Sequence, residues 1–266
     1  MKGILALGLM GALLSQPLKA EDQIRVQAVA RTPESITTQV AVPYPRNGQI
    51  VKNPVWMQVR VEGYPLGTGS QFDRADELAV SDMGQTLHVV VDNMPYFAVN
   101  DNPAIDPFDE EGYFYDTSYK FKFPKNLSMG EHVLRVFAAR SYGESLKGEK
   151  AFFVSTFNVG DANSKYDVDL TKPYLTYNEP TNNIYLVQSK PVLLDFLISN
   201  CELTPDGYKV RLTVDGKMAR TLASWQPYYI YGLRKGNHTV RLELIDRNDK
   251  RVPGIFNDVT QTITIH

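Results

Sequence analysis

Apolar and polar residues alternate along much of the chain. Val55, Met57, Val59 and Val61 fall on one side with Gln58 and Arg60 on the other, and Val210, Leu212 and Val214 oppose Lys209, Arg211 and Thr213 in the same way. A period of two, rich in β-branched residues, predicts strands with one buried and one wet face. Asp92-Asn93 and Asp215-Gly216 stand where such runs end, and residues of this kind tolerate the positive φ of tight turns. No amphipathic helical stretch is evident past residue 20.

The pattern is written twice. Pro45-Arg46-Asn47-Gly48, Ile50-Val51 and Pro54 leading into Val55–Val61 correspond to Pro180-Thr181-Asn182-Asn183, Leu186-Val187 and Pro191 leading into Val192–Ile198. Leu87–Asn93 then matches Val210–Gly216, and Gly130-Glu131-His132-Val133-Leu134-Arg135-Val136 matches Gly236-Asn237-His238-Thr239-Val240-Arg241-Leu242 without a gap. Blocks repeated in one order mark two copies of one unit. About seven short strands per copy, separated by turn signals, predict a β-sandwich.

These blocks resemble the bacterial immunoglobulin-like domains of secreted and surface proteins. The resemblance is carried by Pro-x-Asn-Gly before the second strand, a central strand ending in Val-Asp, and Gly-x-His-x-Val/Leu-Arg-Val/Leu in the penultimate strand. It implies an all-β chain of two tandem immunoglobulin-like β-sandwiches after a signal peptide, and it leaves function open, because sandwiches host unrelated activities. One position departs from it: the aspartate after the penultimate strand is present as Asp246 but replaced by Arg140 in the first copy. The expected organisation is a signal peptide over 1–20, an N-terminal extension over 21–36, domain 1 over 37–159 with two inserted loops, a linker over 160–170, and domain 2 over 171–266.

The signal peptide is read from Lys2, the small and apolar run Ile4–Leu14, the helix breaker Pro17 and a cleavage point after Ala20. The run is too short to span a bilayer, so no membrane insertion is expected after cleavage. The chain is thus expected to be exported to the periplasm, the cell surface or the medium. The formal net charge is −2, from 28 Lys and Arg against 30 Asp and Glu, which offers no basic footprint for nucleic acid. Cys201 is the single cysteine, so neither an intrachain disulfide nor a cysteine zinc site can form.

Candidate chemistry comes from comparing the copies. The first is longer, with insertions at 62–86 and 100–117. In a sandwich of alternating strands both should emerge at one end, together with the Ser141–Gly148 turn, as antibody loops do. The second insertion alternates oxygen-bearing and aromatic residues. Asp101, Asp106, Phe108, Asp109, Glu110, Tyr113 and Tyr115, with Arg140 and Tyr142 from the turn, are the candidate partner-binding residues. Such oxygen density suits Ca²⁺. With no Asp-x-Asp-x-Asp-Gly loop, a solvated acidic loop is the plainer reading and no cofactor is assigned. The rings suit a protein or glycan partner.

His132 and His238 share one repeat position, which argues for structure rather than catalysis; His88 is placed on the outward face. Trp225–Tyr231 is too aromatic for one core face, and part of it is expected between the domains. No hydrolase, metalloprotease or phosphate-loop motif is present. The chain therefore reads as an exported, non-enzymatic binding or structural protein that uses the long-loop end of domain 1 for recognition. The alternatives are a periplasmic assembly chaperone, whose long loop before the last strand of domain 1 and basic cleft this chain lacks, and a carbohydrate-binding accessory module.

Overall fold

The structure is a computed structural model and describes residues 24–100, 118–160 and 168–266. It is nearly all β. The first copy holds strands β2 (Gln39–Tyr44), β3 (Gln49–Val51), β4 (Trp56–Glu62), β5 (Thr86–Val91), β6 (Phe97–Val99), β7 (Ser118–Lys122), β8 (Gly130–Ala139) and β9 (Phe152–Val159). They form a sheet β2-β4-β7 facing a sheet β3-β9-β8-β5-β6. The second copy holds β10 (Tyr174–Glu179), β11 (Val192–Ser199), β12 (Lys209–Val214), β13 (Lys217–Leu222), β14 (Tyr228–Tyr231), β15 (Gly236–Ile245) and β16 (Asp258–Ile265). Among the described residues the helical interruptions are α1 (Arg74–Glu77), inside the first insertion, and a 3-10 turn at Glu149–Ala151.

Each copy has its own core, built from the inward residues that the alternation picks out. Val55, Met57, Val59 and Val61 pack with Leu87, Val89, Leu134 and Val136 in the first copy. Val192, Leu194, Phe196 and Ile198 pack with Val210, Leu212, Val240 and Leu242 in the second.

The repeat extends to turn chemistry. Asp92 and Asp215 take φ of 52° and 49°. In each copy the carboxylate accepts a backbone amide of the adjacent strand in the sheet (Val133 of β8 at 3.0 Å, Thr239 of β15 at 2.8 Å) and the Nδ1 of the histidine beside it (His132 and His238, both 2.7 Å). Each histidine Nε2 reaches a backbone carbonyl, that of Ser128 or Arg234. The histidines are therefore turn staples, as their repetition suggests. His132 stands between two acceptors; burial works against its charge, but the bonds to Asp92 and to the Ser128 carbonyl outweigh it and raise its pKa.

Arg140 does not disturb the turn it begins. Arg140 N donates to Glu144 O and Gly143 N to Arg140 O, just as Asp246 N donates to Lys250 O and Asp249 N to Asp246 O. The left-handed residue of the turn is Asp249 in the second copy (φ 59°) and Gly143 in the first (φ 88°). A Cβ on Gly143 would lie 2.8 Å from Glu179 Cγ, so the turn there sits hard against the other copy.

Two expectations are corrected. The described part of the extension, 24–36, is not separate from the sandwiches: β1 (Arg25–Ala28) pairs antiparallel with β14, and the sheet runs β1-β14-β11-β10 against β13-β12-β15-β16. Val26 enters the second core. The reading of one wet face per strand also fails for the middle of the molecule. Strands β5, β10 and all but the last residue of β11 are buried on both sides, because the outer face of β5-β8-β9 packs on the outer face of β10-β11. Val90 and Phe137 meet Leu197 there, and Val133 meets Tyr174 and Phe256.

Candidate functional site

Sandwich faces that meet in this way must bring their polar groups with them, and each buried one needs a partner. Asp195 is the single charge in the apolar run of β11 and is wholly buried. Its Oδ2 accepts from Ser145 N (3.1 Å), Ser145 Oγ (2.5 Å) and Asn178 Nδ2 (2.7 Å), and its Oδ1 meets Lys147 Nζ at 2.6 Å. Asn178 turns its Oδ1 to His88 Nδ1, at 2.7 Å, and its amide also donates to Gly143 O. The His88 ring stacks on Tyr96 at 3.5 Å, and Tyr96 OH donates to Glu179 Oε1 at 2.5 Å. Burial lowers the His88 pKa to about 4 and raises that of Glu179 to about 8. Both groups are therefore uncharged near neutrality.

The first insertion and the Ser141–Gly148 turn converge, as expected, but onto the second copy instead of solvent. Ser81 N donates to Ser141 O, and Arg74 pairs with Glu144. Leu78 packs with Leu193 and Tyr229, and Tyr229 OH donates to Glu77 Oε2 at 2.7 Å. The Trp225–Tyr231 run is divided in the manner its composition suggests: Tyr228 and Ile230 lie in the second core, Tyr229 between the copies. The segment joining β1 to β2 threads the same seam, with Thr32 bonded to both Glu144 and Tyr142 and Glu34 accepting Lys147 N.

These contacts correct the placement of two candidate residues. Arg140 and Tyr142 are buried, not presented to a partner: Arg140 reaches Pro33 O and lies over the Phe72 ring, and Tyr142 belongs to the Leu78 cluster. His88, placed outward by its alternation, is likewise inside. Asp101, Asp106, Phe108, Asp109, Glu110, Tyr113 and Tyr115, and with them the Ca²⁺ reading, lie outside the described residues. Among the described residues no cluster of His, Cys, Asp and Glu is arranged to hold a metal ion.

An open site does remain beside the seam. Ala79–Met83 of the first insertion and Asn183, Tyr185, Val187 and Lys190 of the second copy wall a cleft of about 530 Å³. Tyr185 is 67% exposed and stacks on His266 at 4.2 Å, so its ring is held while its other face is free. Lys190 Nζ is anchored on Leu78 O at 2.6 Å, and Asn183 on Tyr96 O at 2.7 Å. Asn100, where the second insertion begins, donates to Met83 O on the rim. Alternation could not reveal this cleft, because its walls lie 100 or more residues apart in sequence; the hint available was a tyrosine between two turns.

No protein-family model matches the chain, and no curated protein does. Solved structures that align with it include chains of fibronectin-III modules. The fibronectin(III)-like modules of Clostridium thermocellum CbhA align over 85% of this chain and 94% of theirs, at 14% identity and a TM-score of 0.29. The FN1–FN3 domains of chicken CNTN1 align over 89% and 69%, at 10% and 0.25. The Bacteroides ovatus mixed-linkage glucan utilization locus protein SGBP-B, in complex with a mixed-linkage heptasaccharide, aligns over 86% and 47%, at 12% and 0.21. With TM-scores this low, the sandwich assignment rests on the sheets of the chain itself. No helix among the described residues is long and apolar enough to cross a membrane.

Proposed function

We propose that the chain is an exported binding protein that acts by recognition rather than by catalysis, and that its recognition site is the cleft between residues 79–83 and 183–190. The observation that carries this reading is the exposed Tyr185 ring, fixed by His266 at the mouth of a cleft built by both copies. A held aromatic ring beside Asn183, Ser81, Asp82 and Lys190 has the chemistry of a sugar subsite. The ring face takes the apolar side of a pyranose, and the amide, hydroxyl and charged groups take its hydroxyls. Asn100, which precedes the acidic and aromatic sequence of 101–117, bonds Met83 O on the rim of this cleft. The titratable groups with displaced pKa values support a non-catalytic reading, because Glu179 and His88 are closed inside the seam and bonded to protein.

An oligosaccharide array probed with the full-length exported protein and with Tyr185→Ala tests the proposal. Retention of one glycan class by the parent, weakened about tenfold or more in the variant, is the expected result. A glycan retained equally by both proteins would move the site away from the cleft, and an array with no retained glycan would overturn the sugar reading.

A further inference from the structure

Trp56 is 56% exposed although it stands in a strand, and Met129 (66%) and Ile50 (52%) are exposed at the same end of the first sandwich. Hydrogen bonds hold that end together. Asn53 accepts Leu127 N at 3.0 Å and donates to Leu127 O at 2.7 Å, and Phe123 N donates to Val55 O at 2.8 Å. Gly160, against which Met129 lies, donates to Val51 O at 2.9 Å. The segments that carry the three apolar side chains are therefore neighbours in space. Lys122 stands opposite Trp56 in the β4–β7 register, and Lys52 and Lys125 stand beside the Asn53–Leu127 bonds. All three lysines are exposed. Neither 46–57 nor 120–130 contains an aspartate or glutamate, in a chain whose formal net charge is −2. On the adjoining strands, Asp92 is bonded to His132 and Val133, and Glu131 falls on the seam face with Val133.

Apolar side chains projecting from a surface and ringed by ammonium groups fit a partner that is itself apolar within and anionic at its face. We propose that this end of the first sandwich docks on the surface of an anionic lipid bilayer. An indole belongs at headgroup level, where its apolar body and its ring N–H are both accommodated. Met129 and Ile50 would reach the acyl boundary beneath it, as the apolar face of an interfacial segment does. The lysines lay their stems along that apolar surface and set their ammonium groups on the lipid phosphates. A sugar subsite would draw on hydroxyl and amide groups beside the ring, but the Asn53 amide is spent on Leu127, and Met129 and Ile50 would have no role in it. Trp56 opens β4, whereas the insertion holding 79–83 follows the far end of that strand, so docking would leave the Tyr185 cleft turned away from the bilayer.

Co-sedimentation of the exported chain with vesicles tests the proposal, with phosphatidylcholine alone and with phosphatidylglycerol mixed into it. The chain is expected in the pellet with the mixed vesicles at low salt, its tryptophan emission shifted to the blue, and in the supernatant with phosphatidylcholine alone. Trp56→Ala should weaken binding about tenfold and abolish the shift, and Lys122→Gln should weaken it about fivefold. Both residues are exposed, so both variants are expected to melt with the parent. Tyr185→Ala should pellet as the parent does, which separates a failed bilayer site from a failed sugar cleft. A parent chain left in the supernatant by both vesicles overturns the proposal, as does one that binds both alike, or a Trp56→Ala chain that binds as tightly as the parent. Retention on an anionic polysaccharide column without vesicle binding would also overturn it and give the basic rim to a glycan.

Discussion

Arg135 and Arg241 hold the same place in the two copies of the Gly-x-His strand, and their surroundings set opposite consequences. Arg135 is 1% exposed, bonds Thr176 Oγ1 at 3.0 Å, reaches the carbonyls of Leu175 and Asp92, and lies over the Phe256 ring. Arg241 stands at the surface, paired with Asp258 and Glu243. Arg135→Ala is expected to cost about 3 kcal/mol, since it leaves a hole and orphaned carbonyls in the seam. Arg241→Ala should cost less than about 1 kcal/mol, and denaturant titration of the two variants makes the comparison. Protons act on the same seam. Burial holds the His88 pKa at about 4, below the ordinary 6.5, so between those values the unfolded chain binds a proton that the folded chain refuses, and stability falls as pH drops through that window. Burial raises the Glu179 pKa from 4.5 to about 8, so the stability it contributes is full below 4.5 and is lost as pH rises through 8. Each limb has a slope of at most about 1.4 kcal/mol per pH unit. Glu179→Gln should flatten the limb between 4.5 and 8 when unfolding is followed across pH.

At the scale of elements, β1 is the part whose place is least expected from its position in the chain. Its four residues add to the edge of β14, with Val29 N continuing the ladder to Pro227 O at 3.0 Å. Arg31 caps the arrangement by bonding Trp225 O and lying over the Trp225 ring. From alternation alone, 171–266 contains every matched strand of the second copy and should fold by itself. The structure changes that expectation: the fragment would carry a bare β14 edge and an exposed outer face of Leu193, Leu197 and Tyr229, both of them invitations to association. Expressed alone, it should associate on size exclusion and melt well below the parent. A monomeric fragment with the parent's melting temperature would show that neither β1 nor the seam is needed. Short strands of ordinary composition such as Arg25–Ala28 carry little local signal, because what makes them strands is the edge they join.

Across the whole molecule the four sheets stack in series, and the residues on the outer faces explain why the stacking stops. His88, Val90, Phe137, Phe152 and Val154 of the first copy face the second copy, whereas their repeat equivalents Arg211, Thr213, Glu243, Asp258 and Thr260 form a charged and hydroxylated outer face on which Glu243 is shielded by Arg211 and Arg241. Because the seam is as deeply buried as the cores, both copies should unfold in one calorimetric transition. Leu197→Asp, which puts an unpaired charge there, should lower stability by more than about 3 kcal/mol and split the transition. The amino-acid sequence by itself determined the strands, the two copies, the aspartate turns and the structural role of the paired histidines, since period and turn chemistry are local properties. Period two also tells which residues share a face, so it sets His88 on the face away from the core of its own sandwich. It does not tell what covers that face. That His88 is buried, that Arg140 and Tyr142 are walls of a seam rather than a binding surface, that β1 belongs to the second sandwich, and that a cleft opens beside Tyr185 were decided only by tertiary structure. Each of these depends on segments distant in sequence meeting through a surface whose partner no local pattern specifies.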